Sequence, residues 1–191
     1  MADLGCGTGE DARVLSAAGL RITAFDLSNE MVTFARANGV DAHCIDLRAI
    51  EGSFDGILSN FGALNCLDGL DDIGALMRRC LVARGRAVLV TMGPRCPAED
   101  VALLVRGRRP RRAARVPVEG VEVPVRWWCV ADLSRALAEF RLVHREGLGV
   151  VLPPPDLGGR PGLLARLDRL VGRVPGLNRL GDHTLTVWER S

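Results

Sequence analysis

A chain of 191 residues with 48% hydrophobic and 25% charged residues has the size and composition of one globular domain. No apolar run reaches the ~18 residues that a membrane-spanning helix needs, and no secretory signal opens the chain, so we expect a cytoplasmic protein without a membrane span. The formal charge is only +2, and all 25 strongly basic residues are arginines, which points to biased genomic composition and weakens any argument from an arginine cluster.

Short apolar segments alternate with segments of helical period, which is typical of a parallel sheet covered by helices on both faces. The predicted elements as far as Met92 are a strand end at Met1–Leu4, a helix at about Glu10–Ala18, a strand at Arg21–Phe25, a helix from Ser28 to about Asn38, strands at Val40–Ile45 and Phe54–Ser59, a helix at Leu70–Val82 and a strand at Arg86–Met92. The predicted buried helix residues are Val14, Leu15 and Ala18, then Met31, Phe34 and Ala35, then Ile73, Met77 and Cys80.

The pattern changes after Met92. We interpret residues of about 94–128 as an insertion that is rich in arginine and proline, with a possible extra edge strand at Val121–Trp128. A helix at about Ala131–Phe140 and a strand at Leu142–Leu152 follow, then a Pro/Gly-rich excursion at about 153–182 with a short helix near Leu163–Val171, and a last strand at Thr184–Trp188. The whole chain, 1–191, is interpreted as a single domain.

The six cysteines are Cys6, Cys44, Cys66, Cys80, Cys96 and Cys129. They include no C-x-x-C pair and have no histidine at ligand spacing, which argues against a disulfide framework and against a zinc site. We therefore predict reduced, mostly buried cysteines and no bound metal.

The segment that carries chemistry is Asp3-Leu4-Gly5-Cys6-Gly7-Thr8-Gly9, a G-x-G-x-G turn that leads from a strand into a helix. Such a turn lets the backbone approach a ligand closely and directs helix N–H groups at it. In a dinucleotide site a third glycine would follow, but Glu10 and Asp11 stand there instead and would repel a pyrophosphate. Asp3, at the end of the strand, suits an ammonium group. A nucleoside with an amino-acid tail and no phosphate fits both observations, which favours S-adenosylmethionine.

Two further acids end the next two predicted strands. Asp26 follows the glycine turn by about twenty residues, where a carboxylate can accept hydrogen bonds from both ribose hydroxyls. Asp46 is placed to accept from the adenine amino group while Leu47 covers the ring. Strand-end acids also serve as helix caps, but the joint spacing of these two after the glycine turn favours a binding role.

These segments resemble the class I S-adenosylmethionine-dependent methyltransferases. The matching segments are D-L-G-C-G-T-G (Asp3–Gly9), F-D-L-S-x-x-M (Phe25–Met31), I-D-L (Ile45–Leu47) and S-F-D-G-I-L-S-N-F-G-A-L-N (Ser53–Asn65). The resemblance is strong over Met1–Met92 and looser in the last predicted strands.

The resemblance implies an α/β, Rossmann-like, seven-stranded and mostly parallel sheet of order 3-2-1-4-5-7-6, with strand seven antiparallel. It also implies that the methyl donor lies across the carboxyl ends of strands one, two and four. The donor-binding residues it implies are Asp3, Gly5, Cys6, Gly7 and Gly9 for the methionine end, Asp26 for the ribose, Leu27 and Met31 for the adenine face, Asp46 and Leu47 for the adenine edge, and Asn60 and Phe61 beside the sulfonium.

The remaining polar residues near these turns have ordinary structural interpretations. Asn65 is expected to be a turn residue, Cys66 a buried thiol, and His43 and His144 structural. His183 precedes the last strand, where stabilising a turn is favoured over catalysis. Methyl transfer needs positioning and a dry cavity more than a general base. We therefore assign no catalytic residue at this stage.

Three functions remain open. The first is methyl transfer to a small, apolar molecule, with the insertion, Leu148–Leu157, and Trp127 and Trp128 covering the acceptor. The second is a nucleic-acid-modifying enzyme or an RNA-binding domain, prompted by Arg106, Arg108, Arg109, Arg111, Arg112 and Arg115, although no aromatic residues are interleaved with them. The third is a relative that binds the donor without transferring methyl groups.

Only Met1–Leu4 precede the glycine turn, whereas a strand usually has about 5 to 6 residues. The resembled family also usually has a helix before this strand that closes over the donor. We therefore expect a shortened first strand, an open donor site and a natural chain that begins upstream.

Overall fold

The computed structural model describes residues 1–108, 115–118, 121–152 and 162–191. The strands are β1 (Ala2–Leu4), β2 (Thr23–Asp26), β3 (Ala42–Cys44), β4 (Phe54–Ser59), β5 (Leu81–Met92), β6 (Arg115–Val118), β7 (Val121–Pro124), β8 (Phe140–Leu148) and β9 (His183–Arg190). The helices are α1 (Glu10–Ala17), α2 (Asn29–Ala37), α3 (Asp71–Cys80), α4 (Pro97–Val105), α5 (Val130–Ala136) and α6 (Leu163–Val171).

Seven of these strands form one sheet of order β3-β2-β1-β4-β5-β9-β8, while β6 and β7 form a separate hairpin. Strands β1 to β5 pair in parallel, and β9 pairs antiparallel with both β5 and β8. Without the hairpin in the numbering, this is the expected order 3-2-1-4-5-7-6, and the expected α/β fold is confirmed.

The sheet separates two apolar clusters. Ala24 and Phe25 are consecutive in β2 and belong to different clusters, because neighbouring side chains of a strand point to opposite faces. One cluster packs α1 and α2 on the sheet. The other packs α3 and α5 and holds the largest buried side chains, among them Trp188, Ile57, Ile73, Met77 and Leu133. Both layers leave the carboxyl ends of β1, β2 and β4 at one edge of the sheet.

Most predicted elements lie within a few residues of the observed ones, and Phe54–Ser59 and Leu163–Val171 coincide with β4 and α6. Two predicted helix faces are partly wrong. Val14 is 58% exposed and Phe34 is 54% exposed, whereas Ala12 and Val32 are buried. Ala12 in α1, and Val32 and Ala35 in α2, take the inward positions, while Val14 and Phe34 remain at the surface.

The region after β5 differs most from expectation. Residues at the start of the predicted insertion form helix α4, whose first residue is Pro97. The expected edge strand at Val121–Trp128 is wrong, because β7 pairs with β6 rather than with the main sheet. The central arginines of the cluster, Arg109, Arg111 and Arg112, and residues 153–161 of the Pro/Gly-rich excursion lie outside the described residues.

All six cysteines are free thiols, but only Cys80 and Cys96 are buried. Cys44 and Cys66 are exposed, so the expectation of a buried Cys66 is wrong. Cys66 ends a short turn of 3-10 helix, Ala63–Cys66, in which Leu64 and Asn65 are the buried residues. None of the helices in the described ranges is long and apolar enough to cross a membrane.

Candidate functional site

The loop between β1 and α1 is held against the end of β2. The N–H groups of Gly5 and Cys6 both donate to the carbonyl oxygen of Phe25, at 2.8 and 3.1 Å. Gly5 has a φ of +71°, and a Cβ at this position would lie 2.2 Å from the Cβ of Ala63. Both backbone conformation and space therefore require glycine at residue 5.

Gly7 is the residue at which this loop faces open space. Its φ is +51°, and a Cβ added to it would meet no atom within 4 Å. Gly9 differs, because a Cβ there would lie 2.9 Å from Val40 and 3.0 Å from the Cβ of Ala35. A ligand can thus approach the backbone at Gly7, while Gly5 and Gly9 allow the chain to pack behind it.

Asp26 connects the glycine loop to the next turn. Its Oδ2 accepts from the N–H of Gly7 at 2.9 Å, and its Oδ1 accepts from the N–H of Ser28 at 2.9 Å. The carboxylate is therefore a cap of the loop. Each carboxylate oxygen can accept more than one hydrogen bond, so this role leaves capacity for ribose hydroxyls.

Asp3 is a buried carboxylate beneath the loop. It is 2% exposed, and its Oδ2 has no hydrogen-bond partner among the described residues. Burial, and then the charges of Asp11 and Asp26, raise the pKa of Asp3 to about 7. Burial and the same acidic surroundings raise the pKa of the Cys6 thiol to about 12. A buried acceptor among other acids favours a ligand that brings a positive charge.

The residues expected around an adenine ring lie at the ends of β2 and β3 and on α2. Leu27 is 72% exposed, and its carbonyl oxygen accepts a long hydrogen bond from the Cys44 thiol at the end of β3. Met31 is half-buried in the first turn of α2, and its N–H donates to the Ser28 hydroxyl at 3.3 Å. This bond confirms Ser28 as the N-cap of that helix.

Asp46 and Leu47 begin a short 3-10 turn after β3. The N–H of Arg48 donates to Asp46 Oδ1 at 2.8 Å, and the Arg48 guanidinium lies between Asp46 and Asp72. The structure therefore places Asp46 at the expected edge of the sheet as a cap. None of the hydrogen bonds recorded for Asp46 joins it to the glycine loop.

Asn60 and Phe61 follow β4 and face the loop from its other side. The Asn60 amide donates to Asp11 Oδ2 at 2.8 Å, which joins the end of β4 to the first turn of α1. Phe61 is 79% exposed and has a φ of +49°, a conformation that is uncommon for a residue with a side chain. Its N–H donates to Asn60 Oδ1 at 2.9 Å, which helps to hold this conformation.

Asn65 has the structural role that was expected. It is fully buried, its Oδ1 accepts from the N–H of Met92, and its amide donates to the carbonyl oxygens of Met92 and Arg126. Trp128 donates to the carbonyl of Leu64 at 2.9 Å and packs against the core. Trp127 and Trp128 are absent from the described lining of the cavity next to Phe61, so the expected aromatic wall is not formed there.

This cavity has a volume of about 430 Å³ and lies over the carboxyl ends of β4 and β5. Its apolar lining consists of Leu58, Phe61, Val88, Val90, Leu148, Leu152 and Leu185. Its polar side chains are Asn60, Asp182 and His183, with His183 Nδ1 2.9 Å from Asp182 Oδ2. Leu148 and Leu152 belong to the segment expected to cover an acceptor. Sequence patterns did not indicate Asp182, because its position depends on the antiparallel register of β9.

Residues 2–89 match the family described as methyltransferase domain. Over these residues, which are just under half of the chain, the sequence is similar to methyltransferase domains. Together with the sheet order, this match confirms the resemblance to the class I S-adenosylmethionine-dependent methyltransferases, whose methyl donor is S-adenosylmethionine. The open backbone at Gly7 and the partnerless buried oxygen of Asp3 fit that donor. No curated protein sequence matches the chain.

Solved structures of other methyltransferases have the same fold. One from Mesorhizobium loti is 25% identical, with a TM-score of 0.65 over 99% of this chain and 90% of its own. The glycopeptide N-methyltransferase MtfA, complexed with S-adenosyl-L-homocysteine, is 16% identical, with a TM-score of 0.64 over 100% of this chain and 82% of its own. One from Bacteroides fragilis, also with S-adenosyl-L-homocysteine, is 18% identical, with a TM-score of 0.62 over 98% and 70%.

Proposed function

We propose that this methyltransferase transfers the methyl group of S-adenosylmethionine to a small, apolar molecule. The observation that carries the proposal is the position of the apolar cavity, which shares Asn60 and Phe61 with the predicted donor site. A transfer reaction needs donor and acceptor in contact in a place from which water is largely excluded. Asn60 also donates to Asp11 in the helix that follows the glycine loop.

The donor would be held mainly by the backbone and the acids of the glycine loop. The Asp3 carboxylate would accept from its ammonium group, Asp26 would accept from the ribose hydroxyls, and the loop N–H groups would face its carboxylate. Leu27 and Met31 would cover the adenine, with Asp46 and Leu47 at its edge. When bound, the donor supplies an activated methyl group on a sulfonium, which Asn60 and Phe61 would position toward the cavity.

The acceptor is expected to be apolar because most of the cavity lining is aliphatic. A volume of about 430 Å³ is within the ~300–1,000 Å³ of small-molecule sites. MtfA is described as a glycopeptide N-methyltransferase, which shows that the fold accommodates acceptors much larger than this cavity. The cavity of this chain favours a molecule of one or two rings instead.

The nucleic-acid alternative has less support. The described members of the arginine cluster, Arg106, Arg108 and Arg115, are exposed and lie outside the cavity lining. A nucleic-acid site would bring cations to the edge where the methyl group is transferred. At that edge the described charged side chains include Asp3, Asp11, Asp26 and Asp182, which would repel phosphates.

Calorimetry with S-adenosylhomocysteine and with NAD tests the donor site. We expect S-adenosylhomocysteine to bind and NAD to give no heat, and Asp3→Asn to weaken the binding at least fivefold. Asp41→Asn is the matched control, because Asp41 is an exposed acid next to β3 that contacts His43. Tight binding of NAD without a response to S-adenosylhomocysteine would overturn the proposal. A second titration, with RNA and duplex DNA at two salt concentrations, tests the alternative.

A further inference from the structure

We infer that His183 is the general base of this methyltransferase, held by Asp182, and that the acceptor is an apolar molecule with a weakly acidic hydroxyl, such as a phenol. The inference rests on the proposed methyl transfer and adds the class of acceptor and the residue that takes its proton.

His183 is the first residue of β9, where it lies between Met92 of β5 and Leu148 of β8. Because β9 runs antiparallel, its first residue meets the carboxyl ends of the parallel strands, which is the edge where this fold binds ligands. The His183 side chain is 22% exposed and lines the cavity. It can therefore touch a molecule bound there.

The contact with Asp182 determines which nitrogen is available. His183 Nδ1 lies 2.9 Å from Asp182 Oδ2. An ionised carboxylate only accepts hydrogen bonds, so Nδ1 of the neutral ring carries the hydrogen and Nε2 keeps its lone pair. Nε2 is then the atom that can receive a proton from a molecule in the cavity.

His183 is also close to the predicted donor site. Its ring packs edge-on against Phe61, with ring centroids 6.5 Å apart and an angle of 81° between the planes. Phe61 follows β4, at the position expected to lie beside the sulfonium. An acceptor in the cavity that both rings line would have its hydroxyl toward His183 and its oxygen within reach of the methyl group.

The described neighbours of His183 include acids that would face the imidazolium formed on transfer. Met92 and Leu148, its neighbours on the adjoining strands, carry no titratable group. Asp182 is an acid in contact with His183. One carboxylate oxygen of Asp182, one of Glu99 and the Cys96 sulfur lie within 4.8 Å of one another, so Glu99 is a second acid nearby. A positive charge on the imidazole would thus lie next to carboxylates.

The methyl transfer needs only the acceptor hydroxyl, the donor sulfonium and His183. The acceptor oxygen attacks the methyl carbon as its O–H proton passes to His183 Nε2, and the carbon–sulfur bond breaks with its electron pair staying on sulfur. The products are a methyl ether, a neutral thioether and an imidazolium, which later loses its proton to water. A phenol needs such a base, since hydroxyls of this kind titrate near pH 10 and remain protonated at neutral pH.

The other two histidines of the chain provide internal controls. His43 also pairs with an aspartate, but through Nε2, which lies 3.0 Å from Asp41 Oδ1 at an exposed position. His144 Nε2 lies 3.3 Å from Glu146 Oε2. Of the three histidines in the sequence, all of which the structure describes, only His183 has its carboxylate on Nδ1.

Nitrogen-15 NMR of the wild-type protein tests the arrangement without a substitution. At a pH where the rings are neutral, we expect His183 to be the Nδ1–H tautomer and His43 the Nε2–H tautomer. His43→Asn and His144→Asn assign the signals, and Asp182→Glu should keep the His183 tautomer. An Nε2–H tautomer at His183 would overturn the inference.

The proton-transfer role is tested with 4-nitrophenol, whose ionised form absorbs in the visible range. We expect the protein with S-adenosylhomocysteine bound to ionise the probe at a pH where free probe is protonated. His183→Asn can keep the contact with Asp182 but lacks Nε2, so the absorbance of the ionised probe should be at least tenfold lower with this variant. With His43→Asn the absorbance should be unchanged.

Calorimetry separates the two possible failures. If S-adenosylhomocysteine fails to bind, the methyltransferase proposal itself fails. If it binds to the wild type and to both variants, but the probe does not bind or ionises equally with His183→Asn, only the general base and the phenol class are wrong. Melting temperatures confirm that each variant is folded.

Discussion

The two sides of the site are built in different ways. The glycine-loop side is made of the turns after β1 and β2, and its hydrogen bonds mostly involve main-chain groups. The Gly7 N–H and the Asp26 carboxylate that it contacts are 19 residues apart. On the cavity side, made of the residues after β4 and β5 and before β9, side chains dominate. Its contacts join distant segments, such as the Asn65 amide and the Arg126 carbonyl, 61 residues apart.

This difference is the one that the proposed roles of the two sides would require. A donor that is the same in every reaction can be held by a short loop whose geometry depends on a few glycines and one acid. An acceptor that differs between enzymes requires side chains that can change without altering the sheet. The predictions below test whether the two sides are as independent as this division implies.

The largest expected effect is that of Gly5→Ala on the glycine-loop side. The added methyl would overlap Ala63, and this overpacking should lower the free energy of unfolding by ~1–3 kcal/mol. The left-handed conformation of residue 5 costs an alanine a further ~1–2 kcal/mol. Gly7→Ala incurs only the second cost, but its methyl would occupy the space proposed for the donor. Urea unfolding should show the greater loss for Gly5→Ala, and calorimetry should show lost donor binding in folded Gly7→Ala. Equal stabilities would contradict the assigned packing.

Asn65→Ala is the matching change on the cavity side. It removes the partners of the Met92 N–H and of two carbonyl oxygens, and we expect the free energy of unfolding to fall by about 3 kcal/mol. Asn38→Ala is the control, because Asn38 is exposed and makes one long hydrogen bond. A folded Asn65→Ala protein should bind S-adenosylhomocysteine normally. A loss of donor affinity as large as the loss of stability would show that the two sides are coupled.

Asp3→Asn should stabilise the donor-free protein while weakening donor binding. The pKa of Asp3, about 7 in the folded protein, lies above its unfolded value near 4, so the folded state holds more protons between these values. This contribution to the free energy of unfolding is complete below about pH 4 and is lost as the pH rises to about 7.

At pH 8 we expect Asp3→Asn to be more stable than the wild type, because the variant no longer buries an ionised carboxylate. The expected gain is about 2 kcal/mol, since the cost of burying an amide offsets part of it. Donor affinity of the wild type should rise from pH 6 to pH 8 as Asp3 ionises, and that of Asp3→Asn should remain flat. Unfolding curves and calorimetry over this range check both expectations. A wild-type affinity independent of pH would remove Asp3 from the donor site.

Asp26→Ala should weaken donor binding by ~1–3 kcal/mol, since it removes an acceptor for the ribose and two bonds that shape the loop. Calorimetry measures the donor affinity. Asp26→Asn keeps one acceptor oxygen, so its affinity should lie between those of the wild type and Asp26→Ala. Asp41→Ala serves as the control. If a folded Asp26→Ala protein binds the donor normally, Asp26 is a cap and nothing more.

The smallest effect is expected for the arginine cluster, which belongs to neither side of the site. Replacing Arg108, Arg109, Arg111 and Arg112 with Gln should leave donor affinity unchanged, because exposed Arg108 is in neither set of contacts and the other three belong to the same cluster. Calorimetry checks this result. A loss of salt-sensitive RNA affinity in this variant would instead bring the nucleic-acid function to the front.

Sequence patterns were sufficient for much of the glycine-loop side. Ser28 and one oxygen of Asp26 have local hydrogen bonds, and the bonds from Gly5, Cys6 and Gly7 go to the end of the next strand along the chain. The alternating pattern likewise predicted the α/β class, and the resemblance implied the order of the strands. The errors at Val14 and Phe34 arose because helix period alone does not tell which of two adjacent apolar residues meets the sheet.

The cavity side could not be predicted in the same way. Asp182 and His183 are ordinary turn residues until β9 is placed antiparallel between β5 and β8, more than 120 residues after Phe61. Helix α4 did have a local signal, since Pro97 begins it and Glu99 and Asp100 follow in its first turn. That signal was hidden by the assumption that the prolines marked an irregular insertion.

The position of β9 between β5 and the edge strand β8 has a consequence for how the molecule folds during synthesis. Strand β8 has no partner in the described sheet other than β9, whereas β1 to β5 are all made by residue 92. During synthesis from the N-terminus, the glycine-loop side can therefore assemble early, while β8 and the exposed edge of β5 wait for residues 183–190. A nascent chain interrupted before β9 would have two unprotected strand edges, and pairing between copies at these edges is the misfolding route to expect.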